Sequence, residues 1–366
     1  MGTAIQNSRR PPAAAAWSLA LLLPLAVAVA AGWWLVGCAT PTPQAIRTGA
    51  RPVSELGLQA ERIASGTARI FEIRPVEGAL LVVTYEGAVW LDTSGSPTRS
   101  IAFEPEVIQN PVVSGAEVGS TRPAFVGFSH EAKELLLYDW DGRRQTAVPV
   151  ELEYVKGLLI ADVSDGPEAE VVVLPAGAKH LEIYDAEGRL LREVRSPFYL
   201  TAIGATNADG DPNQELIVSA YPNEEGKGTF YVLDGEGGRA IREWEYDSVS
   251  GFAVVGREGR PLIVTEADGS FRVLSLEGDE LGRYQVPYSE HFTDVLASPW
   301  RGGWVLVGSG SGYRPYHMIA VLDAGGRLVY QEFGEGWSRA LAVPDPSGSE
   351  FFLARGSELW KFSLGE

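Results

Sequence analysis

The chain has 366 residues, a formal net charge of −18 and a single cysteine. So acidic a surface repels phosphate backbones, which argues against nucleic-acid binding, and one cysteine builds neither an intramolecular disulfide framework nor a cysteine-based zinc site. Apolar residues at 45% provide a core, while 42 glycines and 23 prolines, above the typical ~7% and ~5%, point to many turns and short strands.

The N-terminus reads as an export segment. Arg9 and Arg10 precede a run without charge from Ala13 to Cys38, rich in Ala, Leu and Val. Positive charge before such a run keeps the N-terminus cytoplasmic and sends the downstream chain outward. The run ends Leu35-Val36-Gly37-Cys38, which resembles a bacterial lipobox. That resemblance implies a lipoprotein signal peptide over residues 1–37, cut before Cys38, with diacylglycerol on the cysteine sulfur and a fatty acyl chain (palmitate) on the new amine. The plainer alternative is an uncleaved anchor, since the run exceeds the ~20 residues a span needs and Trp33-Trp34 suits a membrane interface. Both readings place the remainder outside the cytoplasm, attached to a membrane. Ala39 after the cysteine, by resemblance to sorting in two-membrane bacteria, favours the outer membrane. Residues 38–53 hold three prolines and no apolar periodicity, so they read as the acylated cysteine and a flexible tether.

From residue 54 to 366 the chain repeats. An apolar strand, then Asp-x-x-Gly, then a second strand recurs at Asp92, Asp139, Asp185, Asp234, Ser275, Asp323 and, frayed, Ser363. Gly95, Gly142, Gly188, Gly237, Gly278 and Gly326 stand three residues after the first six of these. Asp or Ser at the first position accepts a hydrogen bond from the backbone two residues on, and Gly takes the left-handed conformation. Seven such turns, each unit holding about four short strands (158–163, 170–175, 180–185 and 189–194 in the third), describe an all-β, seven-bladed β-propeller. The last repeat supplies three strands and stops. The segment Leu58–Ser65 is the spare one, so an N-terminal strand is expected to close the ring and leave no open edge.

The sharpest motif runs from Asn207 to Glu215. Alternating oxygen side chains on a tight turn suit a hard cation, with a later carboxylate closing the shell. The motif resembles the calcium loops of FG-GAP and VCBS-type propellers, and that resemblance implies Asn207, Asp209, Asp211 and Glu215 as ligands of Ca²⁺. The repeat phrase and the anchor also resemble the quinoprotein-like propeller lipoprotein of the outer-membrane barrel-assembly machinery. No catalytic set stands out: His130, His180, His291 and His317 fall in different repeats, and Gly308-Ser309-Gly310-Ser311-Gly312 puts Gly where a nucleophile elbow needs Ser. Seven tryptophans in or beside strands suit packing between blades, with a sugar-binding row as the sharper idea.

The loops between second and third strands lengthen in two repeats, at 219–228 and 308–316. The later one carries Tyr313, Arg314, Tyr316 and His317, and the earlier one Tyr221. Tyr and Arg anchor interfaces, and long loops on a rigid scaffold carry function. These five are the expected partner-binding residues, on the face opposite the calcium turn. The reading is therefore an envelope lipoprotein whose propeller binds a protein or glycan partner without catalysis. The rival is an extracytoplasmic hydrolase or lyase with its site in the central funnel.

Overall fold

The computed structural model describes residues 53–365, apart from 77, 93, 104–108, 114–122, 166–167, 209–210, 212, 222–226, 235–238, 248–250, 258–259, 268–269, 286–291 and 311–315. The chain divides into two units, residues 1–50 and 51–366. The expected signal segment, Cys38 and nearly all of the expected tether lie outside the described residues.

Among the described residues every regular element is a strand. Val53–Ser54 (β1) and Leu58–Ser65 (β2) come first. Blade 1 is β3 (Ile70–Val76), β4 (Ala79–Thr84), β5 (Gly87–Leu91) and β6 (Pro97–Ala102). Blade 2 is β7 (Gln109–Val113), β8 (Phe125–Ser129), β9 (Glu134–Tyr138) and β10 (Arg144–Pro149). Blade 3 is β11 (Val155–Ala161), β12 (Glu170–Pro175), β13 (His180–Tyr184) and β14 (Leu190–Arg195). Blade 4 is β15 (Leu200–Thr206), β16 (Glu215–Ala220), β17 (Lys227–Leu233) and β18 (Ala240–Asp247). Blade 5 is β19 (Phe252–Arg257), β20 (Arg260–Ala267), β21 (Ser270–Leu274) and β22 (Glu280–Gln285). Blade 6 is β23 (Asp294–Trp300), β24 (Gly303–Gly310), β25 (Tyr316–Leu322) and β26 (Leu328–Glu335). Blade 7 is β27 (Ser338–Ala342), β28 (Glu350–Arg355) and β29 (Glu358–Leu364), with β2 added beyond β29.

The first strand of each blade touches the first strands of both neighbouring blades, including β27 against β3. The seven-bladed ring is thus closed. Its seam is β2 paired antiparallel to β29, from Leu58↔Leu364 to Ser65↔Glu358, on the segment expected to close it. Beyond that expectation, β1 pairs with β26 and adds a fifth strand to blade 6.

Second strands such as β12, Glu-Val-Val-Val-Leu-Pro, are buried throughout because a neighbouring blade covers each face of the sheet. The core accordingly lies between blades. Phe271, Phe292, Trp304 and Met318, for example, share one cluster across blades 5 and 6.

The recurring turns do two jobs. One carboxylate oxygen each of Asp92, Asp139, Asp185 and Asp323 accepts backbone N–H groups from residues two and four further on, at 2.8–3.1 Å. The glycine three residues later takes positive φ, 77° at Gly142 and 81° at Gly188. These glycines also pack on the outer strand of the preceding blade. A Cβ at Gly142 would stand 2.7 Å from the Ala102 carbonyl oxygen, and one at Gly188 would strike Val148. The phrase recurs because a turn and a blade-to-blade contact both depend on it.

Candidate functional site

Five of the seven first strands are irregular where they enter the ring. In blade 3, Val155 faces Pro175 and then Gly157 faces Leu174. In blade 7, Ser338 faces Arg355 and then Ala340 faces Ala354. The same slip occurs between Ile70 and Glu72 and between Leu200 and Ala202, and blade 2 slips between Gln109 and Val112. An extra residue in one strand is a β-bulge, which turns side chains out of the regular alternation. The extra residues are Phe71, Lys156, Thr201 and Arg339, with Asn110 inside the blade 2 irregularity. All five line one cavity of about 890 Å³, to which every first strand contributes. Blade 6 adds Asp294 from regular pairing opposite Ser309.

Strand starts share a face with the links between blades and with the loops between second and third strands, so this funnel opens on the face expected to bind. The Arg339 guanidinium lies 4.6 Å from the Trp337 ring centre and 5.6 Å from that of Phe71. Asn110, at φ 48°, donates from Nδ2 to the Val155 carbonyl at 3.1 Å and accepts from Arg339 at 3.5 Å. Asparagine tolerates this left-handed backbone better than most residues. The Lys156 Nζ sits 5.3 Å from the Tyr221 ring centre, and Tyr221 is 51% exposed.

Charges in the funnel disturb one another. Lys156 is open to the funnel, yet crowding by the walls lowers its pKa from the ordinary lysine value, and Asp294 only partly offsets this. Burial raises the Asp294 pKa, with Arg339 and Lys156 pulling it back. Around the opening, Tyr154 and Tyr199 are 57% and 50% exposed and stand just before the first strands of blades 3 and 4. His130 stacks on Tyr154 with ring centres 4.7 Å apart, and Lys179 lies 4.7 Å from the Tyr199 ring. The Tyr221 N–H donates to the Tyr199 carbonyl at 2.8 Å, which links the tyrosine row to the funnel rim.

Of the expected partner-binding residues, Tyr221 reaches this site, while Tyr313 and Arg314 lie outside the described residues. Tyr316 and His317 require correction. They are 7% and 1% exposed, because β25 is an interior strand of its sheet and neighbouring blades cover both of its faces. Tyr316 packs near Phe292 with ring centres 6.1 Å apart. The His317 Nδ1 donates to the Gly336 carbonyl at 3.2 Å, and burial lowers the pKa of its ring. Alanine at position 316 therefore removes core volume and is no clean probe of a partner surface.

The turn with calcium-loop spacing lies on the opposite face. Asp209 is outside the described residues, and the others are occupied within the turn. Asn207 donates to the Asp211 carbonyl, Asp211 Oδ1 accepts the Asn213 N–H at 2.8 Å, and buried Glu215 accepts the Ala208 N–H. Among the described residues no group of three or more His, Cys, Asp or Glu side chains is placed to hold a metal ion. The described residues of the turn also form a clasp between blades: Gln214 exchanges two hydrogen bonds with the Asp162 backbone, and Asn213 donates to Asp165 at 3.0 Å. The blade 3 turn between β11 and β12 is closed likewise, by Glu170 accepting from the Val163 N–H at 3.0 Å and from the Ser164 hydroxyl.

Sequence reading missed Phe71, Asn110, Lys156, Asp294, Trp337 and Arg339. A signal existed: Tyr154-Val155-Lys156, Tyr199-Leu200-Thr201 and Trp337-Ser338-Arg339 put an aromatic two residues before a polar side chain at each strand start. Aligning strand starts rather than turns would have exposed it. The tryptophans form no sugar-binding row: Trp90, Trp300 and Trp304 are buried, and Trp337 is the one that lines the described funnel.

No family model matches this chain, and no curated protein matches it. Solved structures do. The WD40 domain of Neurospora crassa Pan2 superposes with a TM-score of 0.53 at 13% identity, covering 87% of this chain and 97% of that one. The computationally designed Ika8 protein gives a TM-score of 0.55 at 13% identity, covering 83% of this chain and 98% of that one. At such identity the likeness is one of fold.

Proposed function

We propose that this chain is a non-catalytic binding propeller of the bacterial cell envelope, held at a membrane through Cys38, which engages a protein or glycan on the face bearing the funnel. The observation that carries this reading is the set of irregular strand starts, which direct side chains from different blades into one cavity. The exposed Tyr154, Tyr199 and Tyr221 beside it add the residue type that anchors interfaces. A propeller fold is consistent with a binding role and does not by itself assign one. The hydrolase reading draws less support. A two-carboxylate glycosidase needs a second acid about 5–9.5 Å from the first, and Asp294 is the sole carboxylate among the described residues lining the funnel.

A photo-crosslinking residue in place of Tyr221 tests this reading against one in place of Leu191, which is 48% exposed on the outer strand of blade 3. Adducts are expected at position 221 in the membrane fraction, and to be lost from that fraction when Cys38→Ala is added. Equal adducts from both positions, or turnover of envelope glycans by the purified protein, would overturn it.

The FG-GAP/VCBS reading and its calcium ion form a separate proposal that turns on Asp209. Binding to the native state alone stabilises it. Calcium at millimolar concentration should then raise the melting temperature of the parent protein and leave Asp209→Ala unmoved. Identical curves in calcium and EDTA would leave the segment a structural clasp.

A further inference from the structure

We propose that the funnel is a seat for an organic anion: a ligand carrying one carboxylate or phosphate on an apolar body, its acidic group taken between Arg339 and Lys156. This rests on the funnel being a binding site and goes on to name what it takes.

The charge balance points this way first. The chain carries −18 overall, yet the described charged groups lining the funnel are two cations and one carboxylate. Arg69 adds a third cation in an adjoining cavity that shares Phe71, close enough to disturb Arg339. Cations in a cleft with low-dielectric walls focus a positive potential that draws anions inward, even against an acidic exterior.

The donors are prepared for an acid. The Arg339 guanidinium carbon lies within 6 Å of the ring centres of Trp337 and Phe71, which hold the cation at the funnel wall, and a guanidinium there offers N–H groups for a two-pronged contact with a carboxylate or phosphate. Its Nε is buried without a hydrogen-bond partner among the described residues. Asn110 connects the two cations through space, bonded at one end to Arg339 and at the other to the carbonyl just before Lys156. No ion pair within 4 Å ties Lys156, Arg339 or Asp294 to another described side chain. With one carboxylate, Asp294, set among two cations, an incoming anion would balance the charge that Asp294 leaves over.

The rest of the ligand is apolar. Val112, Leu158, Ile203, Phe252 and Val295 make up much of the remaining wall. A volume of about 890 Å³ falls within the range of small-molecule pockets, ~300–1,000 Å³.

The test uses residues 51–366 and the full chain in parallel, with 8-anilinonaphthalene-1-sulfonate as the fluorescent probe. Octanoate and octyl phosphate are expected to displace it, and octylamine and octanol to leave it bound. Whichever acid displaces it at lower concentration distinguishes a carboxylate from a phosphate source. Lys156→Met with Arg339→Met should weaken the probe about tenfold or more, and Lys156→Met alone, at a side chain open to the funnel, should weaken it without unfolding. Arg189→Gln, in the exposed blade 3 turn where it pairs with Asp185, should not change it. Displacement by octylamine or octanol equal to that by octanoate would overturn the anion assignment while leaving the funnel a binding site. Probe binding unchanged in Lys156→Met and in the double variant would also overturn it. No binding of any probe would overturn both this proposal and the binding reading.

Discussion

Deleting residues 51–66 is expected to lower the melting temperature by at least ~10 °C and to leave an aggregation-prone protein. The deletion removes β2 and with it the pairing from Leu58↔Leu364 to Ser65↔Glu358. Net worth of ~0.5–1.5 kcal/mol per hydrogen bond, with lost burial of Leu58, Ile63 and Ala64 between blades, puts the loss on the order of 5 kcal/mol. At ~2–4 °C per kcal/mol for chains somewhat shorter than this one, that is a shift of ten degrees or more. The bared β29 becomes an edge strand, which templates association with other chains. A synthetic peptide of residues 51–66 should restore part of the loss when added. A deletion variant that melts within about 2 °C of the parent would show that β2 is not what holds the ring shut.

Phe362→Ala is expected to destabilise the protein by ~3–5 kcal/mol, the range for truncating a buried aromatic. The Phe362 ring is fully buried and stacked on Phe351 with centres 4.7 Å apart and planes 3° from parallel. Its edge contact with Tyr330, at 6.5 Å, reaches across to blade 6, so the truncation opens a cavity between blades. By contrast, Leu191→Ala on an exposed outer strand should stay within ~0.5 kcal/mol of the parent. Chemical denaturation of both variants measures the difference. Equal effects would mean that the core does not lie between the blades.

The architecture was legible because it repeats. Asp185 and Gly188 read alone are an ordinary turn, and the same phrase seven times over gives the blade count and the position of the third hairpin. Strands β12 and β28 start where the apolar runs start, at Glu170 and Glu350. The closing strand could be read because the last repeat lacked one. The site was not legible in the same way, since a funnel is assembled from residues that no periodic phrase contains. In the third repeat the first strand was expected from Leu158, because Lys156 and Gly157 break the apolar run; the chain instead enters the sheet at Val155 and bulges at Lys156. What looked like a weak strand start is the device that aims a cation into the funnel. The error at Tyr316 and His317 has the opposite cause. A glycine-rich stretch reads as loop, but Gly308 and Gly310 lie within β24, where Phe292 and Tyr316 fill the space their missing side chains leave.

The seam has a mechanical consequence. Any load arriving through residues before Val53 enters the propeller beside its closure. The first bonds to feel that load are not those of β2. They are the two-residue pairing of β1 with β26, the Glu55 N–H to the Val329 carbonyl at 3.0 Å, and the Glu55–Arg327 ion pair at 2.5 Å. The ion pair is exposed and gives little on its own. Together, though, these contacts clip the entering chain to blade 6 before it crosses to blade 7. A tug therefore peels a short, quickly re-formed clip first, and the longer β2–β29 zipper stays unloaded until the clip is gone. Were the protein hung from its N-terminus, β1 would act as strain relief, as the clamp on a cable protects the solder joint behind it.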